Sequence, residues 1–167
     1  MGQTGQMHDW AVAGAVLEVD RQVLLVSNRR RDGSVDWSTP GGVIDAGETP
    51  LGALTREVRE ETGLSVTRWG ERLYEIEVEF VDLGTRLQVV VFAAEQWDGA
   101  VAIDDPDGIV EDVRFCGVDE CRSLLQHAFV WVREPLEEWL LRRTPPQHGY
   151  AYRAEGHTLT SFTAVRL

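Results

Sequence analysis

GVIDAGETPLGALTREVREETGL, residues 42–64, places Glu57, Glu60 and Glu61 at i, i+3 and i+4. On a helix those positions share one face, one turn apart. Carboxylates held that close repel, so an unassisted helix loses stability by carrying them. A hard divalent cation removes the cost, because Mg2+ prefers oxygen ligands and is usually held by one or two carboxylates plus substrate phosphates. The spacing points to a metal site serving a phosphorylated substrate. The competing reading of the same residues is a solvated acidic helix.

The flanks delimit that helix. Thr49 can cap its N-terminus, and Pro50 suits the first position, where an intrahelical N–H bond is not needed. Gly63 suits the left-handed residue beyond the C-terminus. Leu51, Leu54 and Val58 form an apolar stripe that can face a sheet, and Arg56 is spaced to pair with Glu60. Upstream, Pro40-Gly41-Gly42 and Ala46-Gly47 flank a short extended segment and allow tight backbone paths.

The segment resembles the Nudix box, the signature of the Nudix hydrolases, with its fixed positions filled by Gly42, Glu48, Arg56, Glu57, Val58, Glu60, Glu61, Gly63 and Leu64. The resemblance implies an α/β Nudix fold, a mixed β-sheet sandwiched between helices. It also implies hydrolysis of the pyrophosphate linkage in a nucleoside diphosphate joined to another moiety. Glu57, Glu60, Glu61 and the Gly41 carbonyl would hold Mg2+, with Mn2+ as the alternative. Arg56 matches the arginine that orients a box glutamate, and Glu48 matches a supporting acid. The general base stays open between Glu57 and an acid from a later loop, such as Glu111, because clustered acids titrate as a group. Chain length is closer to the MutT-like nucleoside triphosphate pyrophosphatases than to the longer ADP-ribose enzymes. The alternative is a catalytically inactive Nudix-fold module that binds a nucleotide.

Composition bounds these readings. A chain of 167 residues with 43% hydrophobic and 26% charged residues is expected to form one globular domain over 1–167, with a core about 9–142. A net charge of −12 argues against nucleic acid or anionic membrane as partner; the nucleotide-type small molecule that the resemblance implies is an anion too, so the site must recruit positive charge from metal ions or local Arg residues. The absence of a long apolar run, the opening MGQTGQMHDW and the small cysteine count, Cys116 and Cys121, lead to the expectation of a reduced, cytoplasmic protein with free thiols.

Outside the box, residues 11–19 and 22–27 read as strands joined by an Asp20-Arg21 turn. Asn28 to Val35 reads as a polar loop. Residues 65–79 and 85–94 read as strands around Asp82-Leu83-Gly84, with LQVVVFAA as a central strand. An acid-rich loop, Asp104-Asp105-Pro106-Asp107-Gly108, leads into a strand at 109–115. A short helix at 118–125 follows, then an amphipathic helix through Val132, Leu136, Trp139 and Leu140, ended by Pro145 and Pro146. An extension at about 146–167 reads as a β-hairpin turning at Ala154-Glu155-Gly156. Its role is to cover a sheet edge or to pair with a second subunit in a homodimer; walling a pocket with Tyr150, Tyr152 or Phe162 is the lesser alternative. Trp37 offers a face for stacking a base, set against plain core packing. Arg29 and Arg30 offer phosphate contacts, set against a solvated loop.

Overall fold

The computed structural model describes residues 9–144, 149–158 and 160–167. Pro145, Pro146 and the first residues of the expected hairpin lie outside them. Among the described residues ten strands and three α-helices follow in order: β1 (Trp10–Val16), β2 (Glu18–Val19), β3 (Gln22–Arg29), β4 (Val35–Ser38), β5 (Gly41–Val43), α1 (Pro50–Thr62), β6 (Ser65–Phe80), β7 (Thr85–Asp98), β8 (Val110–Cys116), α2 (Val118–Leu124), α3 (Val130–Arg142), β9 (Tyr150–Glu155) and β10 (Thr163–Arg166).

Six strands form one sheet in the order β10-β9-β6-β7-β1-β5. It is mixed: β1 runs parallel to β7 and β6 parallel to β9, while the remaining neighbours are antiparallel. In the second sheet β3 pairs antiparallel with β2, β4 and β8. The LQVVVFAA run lies between β6 and β1, central as its continuous apolar character requires.

Period-two alternation sends side chains to both faces of the large sheet. Ala13 and Ala15 of β1, with Val90 and Phe92 of β7, join Leu54 and Val58 of α1 in one core cluster. Leu87, Val89 and Val91 point the other way, to a cluster that holds Trp131, Leu136 and Leu140 of α3. The sheet is therefore covered by helices on both faces.

Local sequence explains the ends of these elements. Asp20 and Arg21 both take positive φ, 49° and 63°, giving a two-residue hairpin turn of the kind that matches strand twist. The segment 28–35 is less irregular than its polarity suggests. Asn28 and Arg29 continue β3 and pair with Asp36 and Val35, leaving a loop of 30–34. Asn28 secures this pairing through a bond from its side-chain amide to the Ser38 hydroxyl, 3.2 Å.

The C-terminal segment forms the expected antiparallel pair, β9 with β10, but the chain turns later than Ala154-Glu155-Gly156: Ala154 and Glu155 still pair in the ladder, opposite Ala164 and Thr163. Its attachment was not legible: β9 pairs in parallel with β6, Ile76 opposite Tyr150 and Phe80 opposite Ala154, and so covers that sheet edge. Cys116 and Cys121 are free, buried thiols, and burial pushes them up to about 11 and about 12 respectively.

Candidate active site

The helix α1 begins and ends where its sequence dictates. Thr49 accepts a bond from the Gly52 amide at 3.0 Å, Pro50 is the first helical residue, and Gly63 turns left-handed with φ 78°. Leu54 and Val58 are fully buried against the sheet, which fixes the rotation of the helix and brings Glu57 and Glu61 to the glycines of β5, with Glu60 beside Arg56.

Two glycines allow the close approach. A Cβ on Gly41 would stand 2.2 Å from the Ala13 carbonyl oxygen, and a Cβ on Gly42 would lie 2.5–2.9 Å from the carboxyl atoms of Glu57. The Gly41 amide donates to Glu61 Oε2 at 3.3 Å. Glu61 is 8% exposed, and burial pushes its carboxyl up to about 8, reinforced by the negative charge of Glu57 and Asp105. Glu57 is raised by burial too, against the pull of Arg56.

Arg56 organises the remaining acids. Its Nε and Nη2 fork onto the two oxygens of Glu48 at 3.2 and 3.3 Å, Nη1 reaches Glu57 at 2.9 Å, and Glu60 lies 3.5 Å away. Asp45 adds a fourth carboxylate, 3.5 Å from Nη2. The hydrogen bond to Glu48, first, and that to Glu57 hold the guanidinium pKa above its ordinary value. Glu48, expected as a supporting acid, is therefore the group that fixes Arg56.

A third element completes the acidic face. Backbone bonds from Ala102 to the Thr62 carbonyl, 2.8 Å, and from Asp104 to the Glu60 carbonyl, 3.3 Å, lay the acid-rich loop along the end of α1. Asp105 is held by the amides of Asp107, Ile109 and Val110 at 2.7–3.2 Å. The charge of Asp105 acts on Glu61 and that of Asp107 on Glu57. Glu111, expected as the later-loop acid, is engaged instead by the guanidinium of Arg29. The composition of the loop signals its acids, but which of them reaches α1 depends on those two backbone bonds.

The chemistry of the donor set suits a hard cation, since Glu61 is buried with the partly exposed Glu57 and Glu60 on the same helical face, and carboxylates that close need a positive partner. Among the described residues no three acidic, imidazole or thiolate groups are grouped so as to hold a metal ion by themselves. Glu57 and Glu60 rest on Arg56, so a cation here would be shared between protein carboxylates and the phosphates of a ligand.

Beside Gly41 and Gly42 opens a cavity of about 200 Å3, lined by Ser38, Thr39, Tyr74, Leu87, Val89, Trp131 and Val132 among others. Larger in volume, about 500 Å3, is a groove across the sheet along Ala11, Ile44, Glu75, Glu77, Gln88 and Tyr150. The smaller cavity is the one that touches the glycine loop beneath Glu57, so it bears on the chemistry. Its aromatic lining is Tyr74 of β6 and Trp131 at the start of α3, and no motif or spacing in the sequence marks Trp131. Trp37 does not line either space: it packs partly buried against the core, with the Arg114 guanidinium 5.1 Å from its ring centre. Arg30 pairs with Asp36 and lies 4.5 Å from the Phe129 ring centre.

The family model described as NUDIX domain matches residues 7–140. A MutT-like protein of Streptomyces ambofaciens is 43% identical over 60 residues, 36% of this chain and 37% of its own length. The oxidized purine nucleoside triphosphate hydrolase of Danio rerio is 33% identical over 84 residues, 50% of this chain and 53% of its own. The chain thus spans about a third to a half of the length of these curated relatives. Among solved structures, a MutT NUDIX hydrolase from Burkholderia pseudomallei superposes with a TM-score of 0.64 at 25% identity, covering 76% of this chain and 97% of that one.

Proposed function

The chain belongs to the NUDIX domain family, and on that premise we propose that it is a divalent-metal-dependent pyrophosphohydrolase acting on a nucleoside diphosphate derivative. The observation that carries this reading is the buried Glu61 held at the Gly41 amide, on the same helical face as Glu57 and Glu60 and next to an apolar cavity. A nucleoside diphosphate derivative needs both: an anionic end that recruits metal and an apolar slot that accepts a base.

Glu57, Glu60, Glu61 and the Gly41 carbonyl would hold Mg2+, or Mn2+ in its place. When bound, the metal neutralises phosphate oxygens and lowers the pKa of a coordinated water. Arg56, locked by Glu48, keeps the Glu57 carboxylate oriented toward the glycine loop. The proton of the attacking water goes to a carboxylate oxygen of Glu57 or to Asp107, whose charge already acts on Glu57. Asp107 replaces Glu111 as the preferred later-loop candidate, because Glu111 is neutralised by Arg29. Trp131 and Leu87 enclose the base, and Trp37 supports the scaffold.

A nucleoside triphosphate is the favoured substrate class. Relatives named as MutT-like and as an oxidized purine nucleoside triphosphate hydrolase support it, as does a slot of about 200 Å3. The test is a panel of nucleoside triphosphates, ADP-ribose and dinucleoside polyphosphates with Mg2+ and with EDTA, identifying the products. Metal-dependent release of a nucleoside monophosphate from a triphosphate is the expected result. Tight binding of nucleotides without turnover across the panel would sink the enzymatic reading in favour of a binding module.

A further inference from the structure

We infer that Phe162, in the C-terminal segment beyond the family match, is a positioning residue that sets the base-enclosing wall through Trp131; this rests on the reading of the cavity as the nucleoside site. The family match ends at residue 140, so β9 and β10 are outside it. These strands and Phe162, just before β10, nonetheless reach the cavity wall by two routes.

The first route is aromatic. Trp131 is 5% exposed and lines the cavity beside Gly41 and Gly42. Phe129 stacks on it at 4.4 Å and 9°, and Phe80 meets it edge-on at 5.6 Å. Phe162 closes the group: its ring centre is 5.0 Å from Phe80, 6.4 Å from Trp131 and 6.5 Å from Phe129. Aromatic contacts at these separations have preferred angles, so deleting one ring frees the others to rotate. Phe162 does not itself line the cavity, which makes its effect indirect.

The second route is polar. Glu134 and Glu138 follow Trp131 on α3 and accept bonds from the hydroxyls of Tyr152, 2.7 Å, and Tyr150, 3.0 Å. Arg166 of β10 donates to Glu138 at 2.5 Å. Both strands therefore grip the helix whose first turn carries Trp131. With these bonds intact α3 stays in place, and Phe162 controls the remaining freedom of the indole.

The experiment compares wild type, Phe162→Ala, Phe162→Leu and Phe162→Tyr. It measures kcat and KM for the best-hydrolysed nucleoside triphosphate and the inhibition constant of inorganic tripolyphosphate, which has no base. Phe162→Ala is expected to raise nucleotide KM about tenfold with kcat within about threefold, leave the tripolyphosphate constant within about twofold, and be rescued by Phe162→Tyr. If Phe162→Ala does not fold, Phe162→Leu keeps apolar volume without the ring and is expected to show the same split at about threefold or more. Unchanged nucleotide KM, or equal weakening of nucleotide and tripolyphosphate, overturns the inference. A folded wild type that turns over no nucleotide overturns the functional reading and this inference with it, whereas active wild type with unmoved variants overturns the inference alone.

Discussion

The Gly41 amide donates to Glu61 Oε2 across 3.3 Å, so the most buried acid of α1 is tied to the backbone of the glycine loop. That bond orients the carboxyl, and among the described residues no basic side chain pairs with it. Glu61→Gln keeps the shape and an oxygen acceptor for the amide while removing the charge. We expect kcat to fall about 100-fold or more, with near-native circular dichroism and, in EDTA at pH 8, an unchanged or higher Tm. Near-normal turnover in saturating Mg2+ would mean that the metal lies elsewhere.

The same carboxyl makes stability depend on pH. Its ordinary value of 4.5 is raised to about 8 by burial, so the folded state holds the proton more tightly than the unfolded state. The resulting stabilisation is full below about pH 4.5 and is lost as pH rises toward 8; Glu57 shifts in the same direction. Asp112 and Glu138 are lowered, chiefly by Arg114 and Arg166, and act oppositely: their contribution is present above their ordinary values and is lost on acidification. Between pH 5 and 8 the raised pair governs. In EDTA, Tm should fall by roughly 3–8 °C across that window, and excess Mg2+ should reduce the fall at pH 8. A flat profile in EDTA would contradict the buried, uncompensated acid.

Arg56 tests whether geometry or charge alone serves the site. Its fork engages both oxygens of Glu48 while Nη1 reaches Glu57. Lysine offers a point charge and cannot make both sets of contacts at once. Arg56→Lys is expected to lower kcat/KM about 10–100-fold and to raise the Mg2+ concentration for half-maximal rate. Retention of more than about half the activity would show that a positive charge suffices.

The parts of the molecule that were legible in sequence are those whose causes are local. Thr49, Pro50 and Gly63 bound α1 because capping needs only neighbouring residues, and the acids share a face because helical spacing alone puts them there. The Asp20-Arg21 turn is local in the same way. What escaped depends on distant chain. Parallel pairing of β9 with β6 joins residues about seventy positions apart and leaves no periodic mark. Asn28 and Arg29 extend β3 because β4 supplies partners, overriding their polarity. Glu111 and Asp107 are close in sequence and both carry a carboxyl group. Arg29 across the sheet engages one, and the loop's path along α1 brings the charge of the other to Glu57.

Trp37 and Trp131 give the final test, since composition treats them alike and the fold does not. Trp37 sits on β4 against the core with Arg114 over its ring, whereas Trp131 lines the cavity beside Gly41 and Gly42. Trp37→Ala should cost about 2–4 kcal/mol of stability through the space it leaves and the lost cation–π contact. On folded protein it should change nucleotide KM and the tripolyphosphate inhibition constant equally or not at all. Trp131→Leu removes the indole face but keeps an apolar side chain at that wall. It should raise KM for base-bearing substrates about tenfold while sparing tripolyphosphate, because a lost stacking face matters only to a ligand with a base. Calorimetry and steady-state kinetics on both variants read the two effects separately. A base-dependent KM change in Trp37→Ala, with none in Trp131→Leu, would exchange the two roles and move the nucleoside site to the β4 side of the glycine loop.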